Sequence, residues 1–199
     1  MALIRKILLV PLLLVVGYGV WVIALNTGGG DSRSSPAPKV ATKPAPARQA
    51  LISPSSGRLA IPVAGVAVAQ LVDTFDDARG EDRVHDAIDI MAPRGTPVIA
   101  AAAGTVEKLF ESERGGTTVY IRRDGGQWMD YYAHLDTYAP GLAEGQKIAQ
   151  GQVIATVGST GDASPEAPHL HFAISLMAPG EGWWQGRAVN PYPFLRAGH

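Results

Sequence analysis

From residue 87 to residue 176 the chain is cut by turn residues at intervals too short for helices. Pro93-Arg94-Gly95-Thr96, Gly104, Gly115-Gly116 and Asp124-Gly125-Gly126 each interrupt a short apolar run. The runs lie at 87–91, 97–102, 105–110, 117–123, 128–135, 153–157 and 169–176. In the first of them Ile88 and Ile90 alternate with Ala87, Asp89 and Met91. That period of two places successive side chains on opposite faces of a strand. Short strands with turn signals roughly every eight to twelve residues predict an all-β domain, a sandwich or a barrel. The 23 glycines and 15 prolines fit a turn-rich β fold. One short helix is expected within 66–75.

The N-terminal part reads differently. Arg5 and Lys6 precede a stretch, 7–30, with no charged residue. Residues 7–25 are apolar enough and long enough to cross a bilayer as one helix. Pro11, Gly17 and Gly19 are tolerated in such helices. A cleavable signal peptide is the alternative, with Val22-Ile23-Ala24 as a passable cleavage site. Either way the positive flank stays in the cytoplasm and the rest is exported. The expectation is a retained inner-membrane anchor over 1–30 that leaves the remainder on the periplasmic face. Residues 31–57 follow as a linker of proline, alanine and serine, in which Arg33, Lys39, Lys43 and Arg48 face a single acid, Asp31. Such a segment cannot bury a core; at about 3.1 Å per residue it reaches roughly 80 Å. Residues 58–199 are expected to form the globular domain.

Composition excludes several functions. The formal net charge of −1 gives no reason to expect nucleic acid as a partner. The absence of cysteine removes disulfides, a thiol nucleophile, cysteine metal ligation and a lipoprotein anchor.

The chemistry lies in the histidines. Of five, His199 is the last residue, and the other four sit in patterned surroundings. In Pro168-His169-Leu170-His171-Phe172 the two histidines share one strand face, with Cα atoms roughly 6.6 Å apart. One ring can then bind a metal while the other addresses something bound to it. Two polar residues on a solvated strand face would show the same spacing, so the remaining histidines decide. His134 follows Tyr131-Tyr132-Ala133, and His85 opens His85-Asp86-Ala87-Ile88-Asp89. Four histidines and an aspartate suit a zinc site with three protein ligands and one open position. On a flat strand the Cα atoms of His85 and Asp89 would lie roughly 13 Å apart. The chain is therefore expected to bend near Asp86-Ala87, with His85 in the preceding loop.

The ordered set resembles the LytM/lysostaphin-type zinc endopeptidases of bacterial cell walls. His85-Asp86-Ala87-Ile88-Asp89, Gly95-Thr96-Pro97-Val98, Gly104-Thr105-Val106, Tyr132-Ala133-His134-Leu135, residues 145–153, Gly158-Ser159-Thr160-Gly161 and Pro168-His169-Leu170-His171-Phe172 carry the resemblance. It implies an antiparallel sheet/barrel-sandwich hybrid of the lysostaphin/LytM type. It also implies one Zn²⁺ held by His85, Asp89 and His171, with His134 and His169 as an unligated catalytic pair. Two neutral imidazoles and one carboxylate leave zinc a net positive charge, which lowers the pKa of bound water toward about 7. A nearby histidine can take the water proton, and another can stabilise the oxyanion or protonate the leaving amine. The family usually has glycine where this chain has Ala87, and a methyl group at the bend implies a little strain there.

The implied function is hydrolysis of amide bonds in the stem-peptide cross-links of peptidoglycan. The alternative is a non-catalytic regulator that activates a cell-wall amidase, as in relatives that have lost their zinc ligands; here the ligand set is intact. A biotinyl or lipoyl carrier, suggested by Gly104-Thr105-Val106 and 144–154, would need a lysine in the hairpin that follows, and 155–161 has none. Arg83 is expected to form a surface ion pair, with a substrate carboxylate as the other possible partner. Tyr131 and Tyr132 are expected to pack on the sheet, although Tyr132 could reach the site. Trp183 and Trp184 could stack on glycan; beside Asn190-Pro191-Tyr192-Pro193 they are expected to lock down the C-terminal segment.

Overall fold

The computed structural model describes residues 58–79 and 83–197. The expected anchor at 1–30 and linker at 31–57 lie outside the described residues. Among those described, no helix is long and apolar enough to cross a membrane.

Nine strands form one antiparallel sheet: β1 (Ile88–Met91), β2 (Pro97–Ile99), β3 (Gly104–Ser112), β4 (Gly116–Arg123), β5 (Trp128–Tyr138), β6 (Lys147–Ile148), β7 (Val153–Val157), β8 (His169–Leu176) and β9 (Arg187–Val189). The sheet is open, in the order β1-β8-β5-β4-β3-β6. β9 joins β8, and β7 joins both β5 and β2. All seven apolar runs named above appear as strands. The two-residue β6 and the half-exposed β9 carry too little alternation to stand out in the sequence. The helix expected within 66–75 is only a 3₁₀ turn at Val68–Gln70. The one α-helix among the described residues is α1 (Tyr192–Ala197), entered through Pro191.

Alternation along β8 sorts its side chains. Leu170, Phe172 and Ile174 are fully buried, with Ile88, Val119, Ile121 and Tyr132 in the same core. His169 and His171 fall on the other face and are only half-buried. At the end of the core, the carboxylate of the fully buried Asp130 accepts a hydrogen bond from Arg123 Nε at 2.7 Å. The Arg123 guanidinium also lies over the Trp128 ring, 5.5 Å from its centroid. Removing one member of such a pair leaves the other charged and unpaired in a dry interior. Arg123→Leu is therefore expected to destabilise the fold by about 3–5 kcal/mol. Urea unfolding measures this, and a loss below about 1 kcal/mol would show that the pair is not needed.

The C-terminal segment is held by other contacts than those expected. Leu195 is fully buried, Phe194 packs edge-on against Trp128 at 5.9 Å, and Asn190 Nδ2 donates to Asp73 at 3.1 Å. Trp183 instead packs on Phe110 and Tyr120, and Trp184 faces solvent.

Candidate metal centre

Strand register brings the site together. β8 runs between β1 and β5, with Asp89 opposite His171 on one side and Ala133 opposite His171 on the other. A carboxylate and an imidazole on directly paired strand positions are near neighbours. His85 arrives by the bend. Asp86 adopts φ 56°, in the left-handed region, which turns the chain back just before β1. Asp86 and His134 are the non-glycine residues with positive φ among those described. The backbone distortion thus falls on Asp86 rather than on Ala87, whose methyl group is simply buried. The segment 74–77 braces this turn: His85 N–H donates to Asp77 O at 2.9 Å and Asp86 N–H to Phe75 O at 3.0 Å. Thr74 serves two groups at once, its hydroxyl accepting from Asp89 N–H at 3.1 Å and its carbonyl from His85 Nδ1 at 2.9 Å.

That carbonyl fixes the His85 proton on Nδ1 and leaves a lone pair on Nε2. His85 Nε2 then lies 3.0 Å from Asp89 Oδ1 and 3.0 Å from His171 Nδ1. The third side of the triangle, His171 Nδ1 to Asp89 Oδ1, is 3.3 Å. Asp89 Oδ1 is buried and receives no hydrogen bond among the described residues. Burial pushes the Asp89 carboxyl up, but His171 and His85 outweigh it and hold the group well below the usual carboxylate range. Burial pushes His171 down, toward the neutral ring, against the pull of Asp89. A carboxylate and two imidazoles therefore converge. A proton on His171 Nδ1 would serve only one of the two acceptors facing it, whereas a divalent cation serves all three. The ligand atoms of His85, Asp89 and His171 lie within 4.8 Å of one another, so the donor set fits a metal ion. Arg79, absent from the sequence expectation, forms an ion pair with the outer oxygen, Asp89 Oδ2, and places Nη2 3.1 Å from His85 Nε2.

The other two histidines are prepared in the same way. His134 Nδ1 donates to Thr160 O at 2.9 Å and His169 Nδ1 to Ala167 O at 2.8 Å. Each keeps a basic Nε2. Their rings meet edge-on at 4.9 Å, and the His134 ring lies 5.5 Å from that of His171. His169 Nε2 is 3.7 Å from Asp89 Oδ1. Burial pushes the His134 ring down, partly offset by the Thr160 carbonyl, so it stays neutral near pH 7.

His134 reaches the site through a break in the strand. Between β4 and β5 the register shifts from Thr117↔Leu135 to Val119↔Tyr132. Two β5 residues there face one on β4, a bulge, and such bulges re-aim side chains. At the bulge His134 takes φ 58°, and its N–H donates to Gly115 O at 2.8 Å. Strict alternation would send Ala133 and His134 to opposite faces; here both line the same cavity.

The cavity has a volume of about 560 Å³ and includes all five residues expected from the sequence. Arg79, Arg83, Arg114 and Asp162 form its charged rim. Tyr131, not Tyr132, lines it, with its ring 5.8 Å from that of His171. Tyr132 is a core residue whose hydroxyl accepts from Ala101 N–H at 2.9 Å. Burial pushes the Tyr131 hydroxyl well up, and the neighbouring Tyr120 adds to this.

Residues 83–191, which hold the four histidines, Asp89 and Tyr131 but not Thr74 or Arg79, match Peptidase family M23. The chain belongs to peptidase family M23. Among its M23 relatives is an L-Ala–D-Glu endopeptidase of Bacillus subtilis, 38% identical over 131 residues that make up 62% of this chain and 39% of the relative. The Escherichia coli murein hydrolase activator NlpD is 32% identical over 63% of this chain and 29% of its own length. The chain thus spans well under half of either curated relative. Among solved structures, the catalytic domain of lysostaphin, an antimicrobial peptidase from Staphylococcus simulans, superposes with a TM-score of 0.53 at 28% identity, covering 63% of this chain and 90% of that domain. The M23 sheet of this chain is of the lysostaphin type.

Proposed function

We propose that this protein is a zinc-dependent peptidoglycan endopeptidase that hydrolyses amide bonds in stem-peptide cross-links at the cell envelope. The observation that carries the reading is the triangle of His85 Nε2, Asp89 Oδ1 and His171 Nδ1, with the Asp89 oxygen buried and without a donor. His85, Asp89 and His171 would hold the ion. When bound, Zn²⁺ supplies a Lewis acid for the scissile carbonyl and acidifies water. The chain's own residues do the rest. Thr74, Thr160 and Ala167 carbonyls orient three imidazoles so that every Nε2 faces the cavity. One of His134 and His169 takes a proton from the attacking water. The other donates to the oxyanion or to the leaving amine. The peptide names of relatives and the lysostaphin-type sheet support an amide substrate, and envelope relatives such as NlpD support an exported location. An N-terminal anchor over 1–30 belongs to the same proposal.

The experiment is digestion of purified sacculi by the zinc-loaded protein. New free amino groups are expected, with no new reducing ends, and mass spectrometry of the products identifies the bond. Reducing ends without amino groups would overturn the scheme. The similarity to NlpD motivates the activator alternative, which predicts no products until a cell-wall amidase is added.

A further inference from the structure

A line of aromatic rings runs from the candidate centre to the far end of the sheet. The Tyr131 ring, 5.8 Å from His171, meets Tyr120 at 4.6 Å; Tyr120 meets Trp183 at 4.7 Å, and Trp183 meets Trp184 at 5.4 Å. The line ends on a large ring in solvent, since Trp184 is 68% exposed. The loop carrying it is built. Ala178 N–H donates to Glu181 Oε2 at 2.7 Å, Gly182 N–H to Gln185 Oε1 at 2.8 Å, and Arg122 Nη2 to Glu181 O at 3.0 Å. Gly182 has room for the indole only because it lacks a side chain: a Cβ there would sit 2.5 Å from Trp184 Cζ3. One face of Trp184 thus rests on Gly182 while the rest of the ring stays open. Packing accounts for one face of the indole; the other stays free, at the end of a continuous line of rings that leads back to the cavity.

We infer that Trp184, backed by Gly182 and Trp183, is a stacking platform for a pyranose ring of the glycan strand that carries the scissile peptide. An indole presents a flat apolar face with a polar edge, which matches the apolar C–H face and hydroxyl rim of a sugar. Continuity with the cleft selects this occupant. A glycan lying along the aromatic line is joined covalently to the peptide in the cavity, so both are held by one surface. The inference rests on the peptidoglycan reading above.

The test uses the full chain and two kinds of probe. Chitohexaose, a β-1,4-linked N-acetylglucosamine hexamer, is expected to change the tryptophan emission of the native protein, and that change should shrink in Trp184→Ala. The ratio of turnover on intact sacculi to turnover on a glycan-free cross-linked peptide dimer is expected to fall about tenfold in Trp184→Ala and to recover in part in Trp184→Phe. No response to chitohexaose, or an unchanged turnover ratio, overturns the platform. If the native protein cuts neither substrate, the peptidase reading fails, and the emission response to chitohexaose alone then supports or overturns the platform.

Discussion

Asp89→Ala and His171→Ala are each expected to lose bound zinc and peptidoglycan turnover together. Each removes one of three donors from a triangle with 3.0–3.3 Å edges. The remaining pair cannot hold a divalent cation with comparable affinity, because ligand number and geometry set that affinity. Asp89→Ala carries a second expected effect. It removes the anion beside two imidazoles and the partner of Arg79, so the empty site gathers positive charge. Zinc by atomic emission, measured beside amino-group release from sacculi, reads the outcome. Full zinc occupancy in either variant would remove that residue from the ligand set.

His169→Ala and His134→Ala are expected to separate metal content from turnover. Both leave the three donors in place, so zinc should remain near one per chain. Turnover should fall by roughly 10²–10⁴-fold, the usual worth of a positioned acid–base group. The two variants should differ in stability. His169 lies on a regular strand, whereas His134 sits in the left-handed region, where a non-glycine residue costs roughly 1–2 kcal/mol. His134→Gly is accordingly expected to be the most stable of the inactive variants. Zinc loss in His169→Ala with zinc retention in His171→Ala would exchange the two roles.

Much of this centre was legible in the sequence because strand periodicity is a strong signal. The shared face of His169 and His171 follows from a period of two. The bend before Asp89 follows from the incompatibility of a flat strand with a four-residue ligand pair. Tyr131 was not legible because strict alternation back from His134 points to Tyr132; the bulge at His134 instead puts Ala133, which pairs with His171, and with it Tyr131, on the cavity face. Arg79 and the Thr74, Thr160 and Ala167 carbonyls were not legible. The carbonyls belong to loop residues 2 to 26 positions from the histidines they serve, and a backbone carbonyl has no residue-type signature; Arg79 lies in a loop ten residues before Asp89. The bulge at His134 was hidden for a similar reason, since glycine is the usual marker of a left-handed residue and none stands there. The nearness of the tryptophans to the C-terminal prolines in sequence does not carry into packing: Trp183 lies on Phe110 and Tyr120, and Trp184 faces solvent.

The three donors of the triangle are mounted unequally. Asp89 and His171 belong to adjacent strands whose ladder must break before either can withdraw. His85 stands outside that ladder, on a turn secured by the 74–77 segment. Opening that segment would free His85, while Asp89 would lose only its bond to the Thr74 hydroxyl and keep its place in the ladder beside His171. In the proposed centre His85 would therefore be the arm that yields first, and the lifetime of a bound ion would follow local opening of the loop rather than unfolding of the sheet.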